Sequence, residues 1–185
     1  MELNDAVDLN RIFLYGGDRG FTRKLFSPIQ KIPGMQSTFD HVKPVAIGCD
    51  HAGYEYKTVL VDFLKEKGWQ VKDFGTNGPD SVDYPDYAHP VANSVETGES
   101  GWGILICGSA NGVAITANKH QDIRAAICWQ SEVARLAREH NNANIICIPA
   151  RFVSTPAAEE MVNIFVSTAF EGGRHEKRVN KMACS

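Results

Sequence analysis

A cysteine at the mouth of a loop of small residues is the first feature of this sequence that could do chemistry. In GILICGSANGVAITANK (103–119), an apolar run ends in Cys107, and the loop 108–112 leads into an alanine-rich, helix-like segment. Backbone amides at a helix start favour negative charge, and a thiolate is stabilised there. With the Ser109 hydroxyl beside it, this arrangement predicts a base next to an oxyanion cradle. A buried cysteine before an ordinary turn is the alternative.

Two polar pairs lie at other predicted element ends. Asp50 and His51 follow the first apolar run, where a carboxylate and an imidazole can orient sugar hydroxyls or bind phosphate. A turn capped by the aspartate is the alternative interpretation. His140 and Asn141 close a predicted helix, where a histidine can also simply complement the helix dipole.

Three arginines suit a phosphate. Arg151 directly follows a predicted strand, and Arg174 and Arg178 are four residues apart, so they share a face if that segment is helical. Guanidinium forks match phosphate oxygens, although a solvated basic tail is the alternative. We expect the thiol, the cradle, the imidazoles and the arginines near one edge of the fold. Such a set predicts a small phosphorylated substrate with a carbon acid or carbonyl.

Alternating strands and helices must position these residues. The strands are apolar almost throughout, which is typical of a parallel sheet covered on both faces. The prediction is an α/β fold, a Rossmann-like three-layer open doubly wound five-stranded parallel sheet with a C-terminal helix, whose ligand lies beyond the carboxyl ends of the strands. Predicted strands are 45–49, 69–75, 103–107, 123–128 and 144–149, and predicted helices are 53–67, 87–96, 111–119, 132–139, 155–168 and 174–182.

Composition excludes several classes of function. The net charge of −3 predicts no nucleic-acid partner, and no apolar run approaches the roughly 20 residues of a membrane span. The five cysteines contain no C-x-x-C pair, so zinc and thioredoxin-type sites have no support. An odd number of mostly buried thiols indicates a cytoplasmic protein.

The chain divides into two parts. Residues 1–43 have scattered glycine and proline without a sustained period, and we expect an irregular N-terminal extension there. Residues 44–185 form one domain. A start at Met35 would give the first strand a short lead, and a functional arm is the alternative.

Several separated motifs resemble the B-type ribose-5-phosphate isomerases, which form one family with the subunits of galactose-6-phosphate isomerase. The resemblance covers about 45–182 and excludes 1–43. It implies a homodimer or tetramer with active sites at the subunit interface, and interconversion of D-ribose 5-phosphate and D-ribulose 5-phosphate through a cis-enediolate without a metal or other cofactor. The motifs are GCDHAG, DYPDYAHPVA, GILICGSANGVAITANKH, IRAAICW, ARLAREHNNANI and FEGGRHEKR.

The resemblance also implies roles for individual residues. Cys107 matches the base that moves the proton, Ser109 a hydroxyl beside the reacting oxygens, and His140 the residue that opens the furanose ring. The loop amides would hold the enediolate. The implied substrate-binding positions are Asp50, His51, Tyr84, Gly108, Ser109, Ala110, Asn111, Gly112, Asn141, Arg151, Arg174 and Arg178.

The loop departs from the family pattern at two positions. Ala110 stands where many relatives have glycine, so a positive φ there would be strained. Val113 stands where a second branch of the family has a glutamate base, and this leaves Cys107 as the base.

Other functions stay open at this point. A six-carbon sugar phosphate such as allose 6-phosphate is a close alternative, and a galactose-6-phosphate isomerase subunit would need an unlike partner. A non-catalytic sugar-phosphate-binding module needs neither Cys107 nor His140. A covalent cysteine enzyme would need a Cys-His-Asn signature, which is not recognisable locally.

Overall fold

The described structure, residues 37–183 of a computed structural model, alternates strands with helices. A single 3-10 turn, His51–Gly53, interrupts this order between β1 and α1. The elements are β1 Val45–Cys49, α1 Tyr54–Glu66, β2 Val71–Asp73, α2 Pro85–Glu96, β3 Trp102–Cys107, α3 Asn111–Ala117, β4 Ala125–Ile127, α4 Ser131–Asn141, β5 Ile145–Pro149, α5 Thr155–Ser167 and α6 Glu176–Val179.

The five strands form one parallel sheet in the order β2-β1-β3-β5-β4. The chain runs from β1 outward to β2 and then returns to place β3 on the other side of β1. The strand order therefore reverses between β1 and β3, and a crevice opens there beyond the carboxyl ends. The predicted doubly wound α/β fold is confirmed.

Two layers of helices cover the sheet because successive side chains of each buried strand point to opposite faces. In β3, Ile104 and Ile106 pack into the core beneath α1, α4 and α5, while Leu105 and Cys107 pack towards α2 and α3. Both faces are apolar, which explains the continuous apolar strands. Cys107 consequently points towards the layer in which α3 begins.

The segment that leads into β1 is anchored to the domain although it contains no helix or strand. The Phe39 ring stacks on Trp102 and Phe165, with ring centroids 5.6 Å and 6.0 Å away, and the His41 ring stacks on Trp69 at 3.9 Å. The rest of the predicted extension, residues 1–36, lies outside the described residues.

Three elements are about half as long as predicted, namely β2, β4 and the last helix. β2 ends at Asp73 because its carboxylate accepts hydrogen bonds from the Gly75 amide and from the buried Lys57 ammonium, which turns the chain. The last helix is limited to α6, so Arg174 lies in the turn before it and does not share a helical face with Arg178. No helix between residues 37 and 183 is long and apolar enough to cross a membrane.

Candidate active site

Cys107 ends β3 with its sulfur directed at the start of α3. Its Sγ accepts a hydrogen bond from the Ala110 amide at 3.1 Å, and the side chain is 5 % exposed. To present that amide, Ala110 takes a left-handed conformation with φ 61°. Ala110 therefore has the positive φ that is strained for a residue other than glycine, and its N–H points at the sulfur.

The other thiols of the described chain are in different surroundings. Burial raises the pKa of Cys49 to about 11 and that of Cys128 to about 12, and it also raises the pKa of the fully buried Cys147. These three cysteines pack in the two cores. They are small hydrophobic core residues, as predicted for most of the cysteines.

Asp50 and His51 lie beside Cys107 across the crevice. The Asp50 amide donates to the Ile106 carbonyl at 3.2 Å, which joins the end of β1 to the end of β3. The Asp50 carboxylate caps the 3-10 turn, accepting from the Ala52 and Gly53 amides. His51 has a buried Nδ1 without a hydrogen-bond partner among residues 37–183. The capping interpretation thus applies to Asp50, whereas His51 keeps a polar atom available.

Tyr84 and Arg151 flank the loop on two sides. A Cβ atom on Gly112 would lie 2.6 Å from Cζ of Tyr84, and one on Gly108 would lie 3.1 Å from Nε of Arg151. The two glycines therefore let an aromatic ring and a guanidinium approach the loop backbone closely. Ser109 and Asn111 are exposed on the same loop. We call this group the thiol edge; it comprises Asp50, His51, Tyr84, Cys107, Gly108, Ser109, Ala110, Asn111, Gly112 and Arg151.

Within one chain, the site residues do not all lie at the same edge of the sheet, so that expectation is wrong. Helix α4 starts after the carboxyl end of β4 and returns to the amino end of β5, so His140 and Asn141 lie at the opposite edge of the sheet. The eleven residues of α4 rise about 16 Å. Asn141 there lines a cavity of about 340 Å³ together with Arg124 and Met182.

Arg174 and Arg178 lie at this opposite edge with His140. The Glu171 amide donates to the Glu139 carbonyl at 3.0 Å, which ties the C-terminal segment to the end of α4. The His140 and His175 rings stack with centroids 4.2 Å apart and planes 4° from parallel. We call this group the histidine cluster; it comprises His140, Glu171, Arg174, His175 and Arg178.

Sequence reasoning missed His175 and Glu171. His175 is 6 % exposed, and its Nε2 accepts a hydrogen bond from Arg174 Nε at 3.1 Å. Glu171 Oε2 lies 3.5 Å from His175 Nε2 and 4.0 Å from His140 Nε2. Both residues lie within the motif FEGGRHEKR, and His175 stands between two selected arginines, but neither was given a role.

Comparison with known proteins is consistent with this arrangement. The sequence profile of the Ribose/Galactose Isomerase family matches residues 45–182. Ribose-5-phosphate isomerase B of Escherichia coli is 42 % identical over 138 residues, 75 % of this chain and 93 % of that protein. A putative sugar phosphate isomerase of Bacillus subtilis is 41 % identical over 140 residues, 75 % and 94 % of the two chains.

Solved structures agree in fold. A ribose 5-phosphate isomerase from Thermotoga maritima is 46 % identical with a TM-score of 0.75, covering 77 % of this chain and 99 % of its own. Ribose-5-phosphate isomerase B from Mycoplasma genitalium with bound ribulose-5-phosphate is 39 % identical with a TM-score of 0.75, covering 77 % and 95 %. Because the family profile matches residues 45–182, which run from β1 to beyond α6, the chain belongs to the ribose/galactose isomerase family.

Proposed function

We propose that this protein is an aldose–ketose isomerase that interconverts D-ribose 5-phosphate and D-ribulose 5-phosphate. The observation that carries the proposal is the Cys107 sulfur, which accepts from the Ala110 amide 3.1 Å away at a loop flanked by Tyr84 and Arg151. The names of the relatives support the choice of substrate, as does the relative that holds ribulose-5-phosphate.

In the proposed reaction, Cys107 moves one proton between two carbons. As a thiolate it removes the C2 proton of the open aldose and leaves a cis-enediolate. It then returns a proton to C1, while a proton passes from O2 to O1 and the ketose forms. Loop amides and the Ser109 hydroxyl would stabilise the negative oxygen, an effect commonly worth about 3 kcal/mol per donor.

The histidine cluster would supply the remaining steps. His140 would act as acid and base for opening the furanose ring, and Arg174 and Arg178 would hold the phosphate, which does not react. These residues and Cys107 lie at opposite edges of the sheet, so a small sugar phosphate at Cys107 does not reach them within one chain. A complete site therefore needs the histidine cluster of a second copy against the thiol edge of the first. We propose a homodimer with two such sites; a tetramer is the alternative assembly.

The proposed activity is tested by conversion of ribose 5-phosphate to ribulose 5-phosphate. We expect Cys107→Ala to lower kcat by about a hundredfold or more, because the base is removed. Cys147→Ala is the matched control: it deletes a buried thiol on the same face of the sheet, so we expect lower stability with activity retained. Full activity in Cys107→Ala would reject the mechanism. An inactive wild-type protein would redirect the search to allose 6-phosphate or a binding module.

The shared site is tested by mixing two inactive variants. Cys107→Ala and His140→Ala damage different halves of the site, so a mixed dimer has one doubly altered site and one intact site. After unfolding and refolding an equal mixture, we expect about a quarter of wild-type activity, the statistical share of intact sites. Separately refolded variants are the control. A mixture as inactive as its components would contradict a site shared between subunits.

Two further proposals concern the whole protein. The free thiols of Cys49, Cys107, Cys128 and Cys147 support a cytoplasmic location. The isomerase family domain spans 44–185, a boundary supported by the family match from residue 45, and the last residues of the extension 1–43 pack against it.

A further inference from the structure

His175 contacts two residues of the proposed site through two different parts of its ring. Its face stacks on His140 at 4.2 Å, and its Nε2 accepts from Arg174 Nε at 3.1 Å. His175 is buried, whereas the His140 side chain is 35 % exposed. The buried ring is thus the fixed member of the stack.

The contact with Arg174 defines the proton state of His175. A guanidinium N–H can only donate, so Nε2 must carry a lone pair and the ring proton lies on Nδ1. Burial, followed by the nearby His140 and Arg174, lowers the pKa of His175. Both the hydrogen bond from Arg174 and this direction of the pKa favour the neutral ring, which presents its aromatic face to His140.

The same group has the composition of a cation site but not the geometry. Ligand atoms of His140, Glu171 and His175 lie within 4.8 Å of one another. An ion binds in the plane of an imidazole ring, however, and two rings that are 4° from parallel with centroids 4.2 Å apart do not share such a position. Arg174 also occupies Nε2 of His175. The geometry thus favours a stacked pair over a metal centre.

We propose that His175 is a positioning residue that serves two steps of the reaction: its ring face orients His140 for ring opening, and its Nε2 orients Arg174 for phosphate binding. This inference rests on the proposed function. The two roles belong to different parts of one side chain, so substitutions can separate them.

Two substitutions separate the two roles of His175. His175→Gln keeps an acceptor for Arg174 and removes the ring, so we expect kcat with ribose 5-phosphate to fall about tenfold while KM stays within about twofold. His175→Phe keeps the ring face and removes the acceptor, so we expect KM to rise about tenfold while kcat stays within about twofold. A purely structural role would not lower kcat in one variant and raise KM in the other.

A second readout isolates ring opening. Ribulose 5-phosphate carries its phosphate on the oxygen that would close a furanose ring, so it stays open-chain. Exchange of its C1 hydrogen with deuterium oxide requires Cys107 but not His140. We expect His175→Gln to retain this exchange at close to the wild-type rate, although its conversion of ribose 5-phosphate is slow.

Three outcomes are decisive. Equal losses of kcat and of C1 exchange in both variants, together with a lower Tm, would reduce His175 to a structural residue and overturn the inference. Unchanged kinetics in both variants would overturn it too. An inactive wild-type protein would instead refute the proposed function, and the inference would fall with it.

Discussion

At the scale of single residues, the conformation of Ala110 follows from the need to direct its amide at the Cys107 sulfur. A left-handed alanine costs about 1–2 kcal/mol relative to the ordinary regions. Its methyl group is completely buried in the core beneath α2 and α3. The strain and the burial act in opposite directions, which explains how an alanine is tolerated at this position.

Substitution at this position tests that balance. Ala110→Gly relieves the strain but loses about 0.8 kcal/mol of methyl burial and gains unfolded-state entropy. We expect the free energy of unfolding to stay within about 1 kcal/mol, with isomerase activity retained. Ala110→Val adds a β-branched side chain to a full core in a left-handed conformation and should cost more than about 2 kcal/mol. Urea denaturation of both variants gives the comparison; a glycine variant as unstable as the valine variant would contradict it.

At the scale of elements, α2 and α3 together form the wall of the thiol edge. Tyr84 immediately precedes α2, and its ring covers Gly112 in the first turn of α3. Because Gly112 has no side chain, the Tyr84 ring packs directly against its backbone. The width of the crevice thus depends on the packing of two helices and not on the loop alone.

Gly112→Ala tests the position of the Tyr84 ring without lowering the stability of the protein. The new methyl group would meet the Tyr84 ring at 2.6 Å and push it away, while alanine favours the helix by about 1 kcal/mol over glycine. We expect KM for ribose 5-phosphate to rise several-fold while Tm does not fall.

Two controls accompany the Gly112 variant. Gly78→Ala places a methyl group where no other part of the described structure lies within 4 Å and should change neither quantity. In a Tyr84→Ala background, Gly112→Ala should have no further effect on KM. An additive double variant would contradict contact through the ring.

At the scale of the whole molecule, residues 37–43 close the amino-end side of the domain. Phe39 stacks on Trp102 and Phe165, and the Arg138 guanidinium lies 4.3 Å from the centre of its ring. The Thr38 amide donates to the Val166 carbonyl at 3.0 Å. The domain thus extends structurally a few residues before the point where the family match begins.

Phe39→Ala and a chain that begins at Met35 test this anchor. The substitution removes a half-buried aromatic contact and should lower the free energy of unfolding by about 2–3 kcal/mol. The shorter chain keeps the contacts of Thr38, Phe39 and His41 with the domain that are described above, so we expect unchanged Tm and unchanged activity. Denaturation and the isomerase assay measure both. Loss of activity in the shorter chain would indicate a functional arm within residues 1–34.

The sequence by itself determined the order of strands and helices, the parallel sheet and the loop from Cys107 to Gly112. These features depend on local periodicity and on residues that are adjacent in the chain. The helix predicted over Arg174–Met182 covers only Glu176–Val179, and Arg174 and His175 lie in the turn that follows the positive-φ residues Gly172 and Gly173.

Only the tertiary structure decided how the site residues divide between two edges. Arg151 lies with Cys107, whereas Arg174 and Arg178 lie with His140, because α4 crosses the domain and the Glu171–Glu139 hydrogen bond fastens the C-terminal segment to its end. The stack of His140 on His175 joins residues far apart in sequence through packing alone. Residue types can reveal that such a chemistry is present, but the direction in which each helix crosses the sheet decides which side chains meet.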